Sequence, residues 1–266
     1  MSLVARSIAP PRLPARAGVV VERNLLVYRR QWVAFATGFL EPVFYLLSIG
    51  VGVGALVGRV PLGDGRSVTY AQFVAPAMLA VSAMNGAVFD ATYNMFFKLR
   101  YARTYESMLA TPVGVADIAA GELSWTLVRG GVYSLSFLVI SVALGLVVSW
   151  WAVLALPVAL LVGLTFGALG MAATTWIRGI ADFDYVQLAL VPMMLLSATF
   201  FPLTTYPVAV RWLVELSPLY HGVALERGLM LGQIGVSLLG HLLVLVAVGA
   251  VGSRVLARRM SGLLLR

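Results

Sequence analysis

The sequence contains no cysteine among its 266 residues, and it has one lysine and two histidines. Without cysteine the chain can form neither disulfide bonds nor thiolate metal sites, and it has no cysteine nucleophile. The lysine, Lys98, does not follow a glycine, so the chain lacks a phosphate-binding loop of the Gly-Lys-Ser/Thr type. The histidines, His221 and His241, lie twenty residues apart in different predicted elements and do not predict a metal site. We therefore expect no cofactor, no metal and no catalytic residue on this chain.

Charged residues are also scarce: they make up 11% of the chain, whereas 61% is hydrophobic and the mean hydropathy is +0.93. A water-soluble core of this size cannot bury so much apolar material, so the composition predicts an integral membrane protein. The net charge of +8 comes from basic residues scattered between apolar runs. This scatter favours contact with anionic membrane lipids and argues against nucleic acid as a partner.

Two segments precede the first apolar run. Residues 1–16 are rich in proline and arginine and predict a flexible cytoplasmic tail. In residues 19–35, apolar and aromatic side chains recur at helical spacing with arginines elsewhere on the wheel, which is typical of a helix lying in the membrane interface. The alternative is a continuation of the first membrane span. We expect residues 17–266 to form a single transmembrane domain.

The apolar runs predict an all-α membrane protein with six transmembrane helices. The run 130–177 contains no charged residue and would be roughly 72 Å long as one helix, more than twice the hydrocarbon thickness of a bilayer. It must therefore be a hairpin, with its turn at 149–151, where two tryptophans suit the interface. Residues 202–233 contain apolar pieces too short to cross, which predict re-entrant helices. The spans are expected at about 37–57, 70–97, both arms of 130–177, 185–201 and 234–256.

One charge-rich passage, 97–122, interrupts these apolar runs. Its larger side chains fall on one helical face and its polar ones on the other: Tyr101, Tyr105, Met108 and Leu109 against Arg103, Thr104, Glu106 and Ser107. The pattern predicts a short amphipathic helix. Thr111-Pro112 ends it, because the residue before a proline is pushed out of the helical region and the proline has no N–H to donate.

The distribution of basic residues predicts the orientation. With both termini in the cytoplasm, fifteen basic residues lie on the cytoplasmic side and four on the outer side. Basic residues near span ends resist translocation, so this arrangement is favoured, and the passage 97–122 faces the cytoplasm. The fifteen are Arg6, Arg12, Arg16, Arg23, Arg29, Arg30, Lys98, Arg100, Arg103, Arg129, Arg178, Arg254, Arg258, Arg259 and Arg266; the four are Arg59, Arg66, Arg211 and Arg227.

Two carboxylates fall within predicted spans, Glu41 and Asp90. Asp90, Asn94 and Lys98 are four residues apart and share one helical face. A charge costs about 2.5–3.5 kcal/mol at the bilayer centre and less near the interface. Two interpretations stay open: a polar lining or helix contact at the cytoplasmic side, or carboxylates that reach the inner headgroups. A proton-driven secondary transporter that uses both carboxylates is the alternative function.

Four passages carry a family resemblance. They are Glu41-Pro42-Val43-Phe44-Tyr45-Leu46-Leu47; Tyr105-Glu106-Ser107-Met108-Leu109-Ala110-Thr111-Pro112 with Asp117-Ile118 and Gly121-Glu122-Leu123; Thr199-Phe200-Phe201-Pro202; and Pro218-Leu219-Tyr220-His221. These passages resemble the permease subunits of type-2 ABC exporters, the ABC-2 family, and in particular the branch with nodulation lipooligosaccharide and daunorubicin-type drug exporters. The likeness extends from about residue 23 to residue 259, and the Leu-Ala-Thr-Pro passage is its most specific part.

The resemblance implies six spans, an interfacial N-terminal helix, a cytoplasmic coupling helix in 97–122 that docks on a separate ATPase subunit, and re-entrant outer helices in 202–233. ATP and Mg²⁺ would bind to that partner, and two permease copies would export an amphiphile such as a lipid-linked oligosaccharide, glycolipid or hydrophobic drug across the bacterial plasma membrane. The residues implied at the ATPase contact are Tyr101, Tyr105, Glu106, Met108, Leu109, Thr111 and Pro112. Those expected along the pathway or in the polar part of the membrane are Glu41, Asp90, Asn94, Phe200, Phe201 and Tyr206, and for the aromatics an ordinary place in the interfacial belt is the alternative.

Overall fold

The computed structural model describes residues 16–29, 44, 46–62 and 65–264, and this part of the chain is almost entirely helical. The predicted tail up to residue 15, the end of the predicted interfacial helix and Glu41 lie outside the described residues. The helices are α1 (Ala17–Arg29), α2 (Gly54–Val57), α3 (Tyr70–Phe89), α4 (Thr104–Leu109), α5 (Val115–Ala143), α6 (Ala155–Thr174), α7 (Phe183–Leu195), α8 (Val208–Leu216), α9 (Pro218–Leu231) and α10 (Ser237–Leu264). Two short strands, β1 (Arg59–Pro61) and β2 (Ser67–Thr69), pair antiparallel before α3.

Four of the described helices are long and apolar enough to cross a membrane: Tyr70–Tyr101, Val115–Ala143, Trp150–Thr174 and Ser237–Leu264. They correspond to the predicted second, third, fourth and last spans. The predicted first span is described only in part, from Ser48–Val53 through α2. At the predicted fifth span, α7 has 13 residues and is about 20 Å long, shorter than the hydrocarbon core of about 30 Å.

The second span is longer than the sequence predicts, because two wide π-helical turns continue it. Thr69 caps its first turn in a capping box with Gln72. Beyond α3 the chain passes through π turns at Asp90–Asn94 and Phe97–Tyr101. The helix then breaks at Arg103, which adopts a left-handed conformation with φ of 45°, and α4 starts at the next residue.

The third span starts earlier than the predicted hairpin at residue 130, because α5 begins at Val115. Asp117 caps this start by accepting from the Gly114 N–H at 2.9 Å. The predicted coupling segment 97–122 is therefore divided among the end of the second span, α4, a turn and the first eight residues of α5. The sequence predicts a third span without charged residues, whereas the fold places Glu122 and Arg129 within it, each opposite a partner charge.

The hairpin between α5 and α6 turns where the sequence predicts. Gly145 has a φ of +68°, and the Ser149 side chain caps the 3₁₀ turn Trp150–Leu154 by accepting from the Trp151 N–H. The N–H groups of Val148 and Ser149 both donate to the carbonyl of Met230 at the end of α9. This end of the molecule, which also carries β1, β2 and α8, is called the α8 end below, and the opposite end is called the α4 end.

The second span lies at the centre of the bundle. α3 packs against α5, α6 and α9, and α10 packs mainly on α6. The short helix α1 lies against α5, where Gly121 permits a very close approach: a Cβ added there would lie 2.5 Å from Val20 Cβ and 2.8 Å from the Ala17 carbonyl. A smooth glycine surface thus brings α1 within hydrogen-bonding reach of the residues that follow on α5.

Candidate functional site

At the α4 end, α1, the second span and α5 converge on a group of buried polar side chains, which we call the charged cluster. Four of its members carry charge and the others are hydrogen-bonding groups around them. The cluster consists of Asn24, Tyr28, Asp90, Asn94, Lys98, Glu122, Thr126 and Arg129. The predicted polar residues Asp90 and Asn94 are therefore brought together, and Lys98 turns from them to a different carboxylate.

The first ion pair joins the second span to α5. Lys98 Nζ donates to both oxygens of Glu122, at 2.7 and 3.0 Å, and both side chains are almost fully buried. Asn24 of α1 completes this pair, because its side-chain oxygen accepts from Lys98 at 3.1 Å and its amide donates to Glu122 at 3.2 Å. One amide therefore satisfies both charges, and three helices are tied at one point.

The second ion pair lies further along the same two helices. Arg129 Nη1 donates to Asp90 Oδ1 at 2.9 Å, and the Thr126 hydroxyl donates to Asp90 Oδ2 at 3.1 Å. Asn94 donates to the same carboxylate at 3.0 Å, and Tyr28 of α1 donates at 3.4 Å. Asp90 is thus buried and bonded through both oxygens, which favours the interpretation of a helix contact over that of a carboxylate reaching the headgroups.

Tyr28 is the member of α1 that meets the second pair. Its hydroxyl accepts from Asn94 at 2.9 Å, and the Arg129 guanidinium lies 5.2 Å from its ring centroid. Burial, reinforced by the Asp90 carboxylate, raises the pKa of Tyr28 to about 12. The phenol therefore stays protonated at neutral pH and remains a donor to Asp90.

Helix α4 is anchored near this cluster by Tyr105, whose hydroxyl has no hydrogen-bond partner among the described residues. The Tyr105 side chain is fully buried and packs with Ile118, Met171 and Met260 from α5, α6 and α10. Burial, followed by the nearby Glu122 charge, raises the pKa of Tyr105 well above its ordinary value. A neutral phenol beside the Lys98–Glu122 pair thus connects α4 to the membrane helices.

The apolar face of α4 is turned inward. Met108 and Leu109 are half-buried against the same core as Tyr105, whereas Glu106 and Ser107 are exposed. The predicted contact residues therefore divide: Tyr105, Met108 and Leu109 hold the helix in place, because water would otherwise meet their apolar surface. The surface left open consists of Tyr101, Arg103, Glu106, Ser107, Ala110, Thr111 and Pro112.

The turn after α4 is fixed by hydrogen bonds. The Thr111 hydroxyl donates to the Met108 carbonyl at 2.6 Å, and the Arg16 guanidinium donates to the Pro112 carbonyl. The Arg16 backbone N–H also donates to Asp117 at 3.0 Å. The start of α1 thus anchors the chain on both sides of the turn, so that α4 is held from its buried face and from its C-terminal end.

The predicted pathway aromatics lie at the α8 end, away from the charged cluster. Phe200 packs against the main core and Phe201 is exposed. The Tyr206 hydroxyl donates to the Leu195 carbonyl at 3.0 Å and so holds the end of α7. The structure does not bring these three side chains together with Asp90 and Asn94.

Sequence reasoning missed three polar features at the α8 end, of which one is buried and two are partly buried. Arg227 of α9 donates to the backbone carbonyls of Phe73 and Ala198, at 3.3 and 2.9 Å. Its neighbour Glu226 is completely buried, and neither of its oxygens has a hydrogen-bond partner among the described residues. His221 and His241 meet with their Nδ1 atoms 2.7 Å apart. For Glu226 and Arg227, the signal available in the sequence was the presence of charged residues within the short apolar helix α9.

The comparisons with known proteins agree with this architecture. Residues 16–231 match the family model described as ABC-2 type transporter. Nodulation protein J of Rhizobium leguminosarum bv. viciae is 37% identical over 217 residues, which cover 80% of this chain and 82% of the relative. Nodulation protein J of Rhizobium meliloti (strain 1021) is 36% identical over 217 residues, 80% of each chain.

A more distant relative carries a general transport name. The inner membrane transport permease YadH of Escherichia coli (strain K12) is 26% identical over 214 residues, 79% of each chain. The family match spans most of the sequence, from α1 through the charged cluster and α4 to the end of α9. This chain therefore belongs to the ABC-2 type transporter family, whose members are transmembrane permeases.

Proposed function

We propose that this chain is the permease subunit of an ATP-driven exporter that moves an amphiphile outward across a bacterial plasma membrane. ATP and Mg²⁺ would be held by a separate ATPase subunit, which docks on α4 from the cytoplasm. Two permease copies, each with six spans, both termini in the cytoplasm and re-entrant helices α8 and α9 facing outward, would enclose the pathway. Family membership and the names of the relatives support a transport role.

The observation that carries the proposal is that α4 has one face packed against the membrane helices and the opposite face exposed. One side is bound to the membrane helices through Tyr105, and the other presents Glu106, Ser107 and Thr111 without cover from the described residues. A force on the exposed side would reach the Lys98–Glu122 pair and through it the second span and α5. Packed helices respond to such a force by moving as rigid bodies, because their interiors are close-packed.

An amphiphilic substrate fits the chain better than a small ion does. The buried charges Asp90, Lys98, Glu122 and Arg129 are engaged in two ion pairs at the α4 end, and the described spans are otherwise mostly apolar. The name of one relative, a transport permease, supports a transport role. The substrate classes that we propose are lipid-linked oligosaccharide, glycolipid and hydrophobic drug.

The proton-driven alternative required Glu41 and Asp90 as relays. Glu41 lies outside the described residues, and Asp90 accepts hydrogen bonds from Arg129, Thr126 and Asn94. A relay carboxylate needs a path by which protons reach and leave it, whereas both oxygens of Asp90 are occupied by these side-chain donors within the bundle. The geometry therefore argues for a structural role of Asp90.

The docking proposal is tested by charge reversal on the exposed side of α4. We expect Glu106→Arg with Ser107→Arg to abolish copurification of an ABC ATPase, identified by mass spectrometry, and with it the vanadate-sensitive ATP hydrolysis of the purified complex. Glu215→Arg is the matched control, because Glu215 is an exposed carboxylate on the short helix α8. Retention of the ATPase by the α4 variant, or its loss in both variants, would contradict the proposal.

The orientation is tested by labelling, for which the cysteine-free chain is a ready background. A membrane-impermeant maleimide applied to intact cells should leave Ser107→Cys unmodified and should modify Thr204→Cys, because both positions are accessible and they lie at opposite ends. Permeabilised cells should show both labelled. Modification of Ser107→Cys in intact cells would place α4 outside and remove the proposed motor contact.

A further inference from the structure

A groove of about 640 Å³ lies beside the second span, between α6 and α7, in the half of the molecule nearer the α4 end. Its volume falls within the range of sites that hold drug-sized ligands. Most of the wall is hydrocarbon, contributed by Val88, Phe166, Leu169, Ala173, Ala189 and Leu190. The groove is open on one side, so a ligand could enter it from the membrane.

The groove lies between α6 and α7, and α7 is held at its two ends and along one side, where Leu190 and Met193 pack against the main core. At its start the Phe183 ring stacks on Tyr93 at 4.1 Å and meets Phe96 edge-on at 5.1 Å. At its end the Leu195 carbonyl accepts from Tyr206. Between these points the small side chains of Ala173 and Ala189 leave the gap unfilled.

Basic residues gather at the end of the groove next to the α4 end. Arg178 lines it directly, and two further guanidinium groups reach the same chain segment. Arg259 lies 4.3 Å from the Trp176 ring centroid and donates to Thr175, and Arg100 donates to the Ile177 carbonyl. None of these arginines forms an ion pair with a described carboxylate.

The acidic residue at this end does not cancel that charge by pairing. The Asp182 carboxylate accepts from the backbone N–H groups of Arg178 and Gly179, at 2.7 and 3.3 Å, and caps the turn that starts α7. The arginine side chains stay available to an anion. An apolar slot with Arg178 at one end, and with Arg259 and Arg100 bonded to the adjoining residues 175–177, is complementary to a molecule with a hydrocarbon chain and a negative headgroup.

We infer that this groove binds one hydrocarbon chain of an anionic membrane amphiphile and that its phosphate or carboxylate headgroup lies against Arg178. Arg259, held by Trp176, would supply the second cation. The site is distinct from the surface of α4 that the proposed ATPase contact uses. Binding therefore does not require an ATPase, and failure of one proposal leaves the other standing.

Native mass spectrometry of the purified permease tests the inference, with palmitoyl-oleoyl phosphatidylglycerol as probe and phosphatidylcholine of the same chains as reference. We expect the wild type to retain the phosphatidylglycerol preferentially. Ala189→Trp fills the groove and should lower its retention by more than about tenfold, because several methylene groups lose their burial. Ala250→Trp is the matched control on the exposed surface of α10, and it should retain the lipid.

Arg178→Gln tests the headgroup contact without filling the groove, so the inference does not depend on whether the tryptophan variant folds. Loss of one arginine near the membrane surface should lower phosphatidylglycerol retention about fivefold and leave phosphatidylcholine unchanged. Arg254→Gln, an exposed arginine on α10 outside the groove, is the control. Equal retention of the two lipids by the wild type, or unchanged retention in both groove variants, would overturn the inference.

Discussion

The two ends of the bundle treat buried charge in opposite ways. At the α4 end Lys98–Glu122 and Asp90–Arg129 form side-chain pairs at 2.7 and 2.9 Å. At the α8 end the Arg227 guanidinium lies 3.9 Å from the Phe73 ring centroid and donates to backbone carbonyls, while Glu226 beside it has no partner among the described residues. The paired charges fix the relative position of two helices, whereas Arg227 donates to the Phe73 carbonyl of α3 and to the Ala198 carbonyl in the irregular chain after α7. At the α4 end, paired charges therefore connect the second span to α5.

The largest effect should come from removing one partner of a pair at the α4 end. Arg129→Met leaves the Asp90 carboxylate buried without its cation, and we expect the free energy of unfolding to fall by about 3–5 kcal/mol. Unfolding of the purified protein in detergent measures this loss. The double variant Asp90→Asn with Arg129→Met should recover much of the lost free energy of unfolding, because no unpaired charge remains. Equal losses of stability in the single and double variants would show that the ion pair does not hold the two helices together.

A substitution at the α8 end should act with the opposite sign. Glu226→Leu removes a buried carboxyl that has no described hydrogen-bond partner, and we expect the free energy of unfolding to rise by about 1–3 kcal/mol. Glu226→Gln keeps the size and a polar group, so it should give no comparable gain. Destabilisation by leucine but not by glutamine would mean that the carboxyl is bonded after all.

The smallest effect is expected at the exposed pair of α4. Arg103 Nη1 and Glu106 Oε2 are 3.9 Å apart, and their side chains are 74% and 62% exposed. Water screens such a pair, so Arg103→Gln should change the free energy of unfolding by less than about 0.5 kcal/mol. The same unfolding measurement decides this, and a loss comparable to that of Arg129→Met would erase the distinction between buried and exposed pairs.

Local patterns in the sequence predict much of this fold. The charge-free run 130–177 fixes the hairpin because its length exceeds any single crossing, and Thr111-Pro112 ends α4 for a local steric reason. Periodicity also finds the two faces of α4. It does not tell which face points inward, because α5, α6 and α10 supply the covering surface from distant parts of the sequence.

The charged cluster could be predicted only in part. The spacing of Asp90, Asn94 and Lys98 predicts that they share one helical face. Their partners Glu122 and Arg129 lie in a segment whose charged residues argue, by sequence alone, against a membrane span. Their burial becomes acceptable only when both helices are present and each charge is bonded. The close approach of α1 at Gly121, which brings Asn24 to the cluster, likewise depends on tertiary packing.

The wide turns at Asp90–Asn94 and Phe97–Tyr101 give the second span π-helical geometry in two places and α-helical geometry elsewhere. A π turn takes up about one residue more than an α turn. Tightening of one such turn to α geometry would rotate everything beyond it about the helix axis by about 100°. Lys98 and α4 lie beyond the first wide turn. A change of that turn from π to α geometry would therefore rotate them about the helix axis without unfolding any helix.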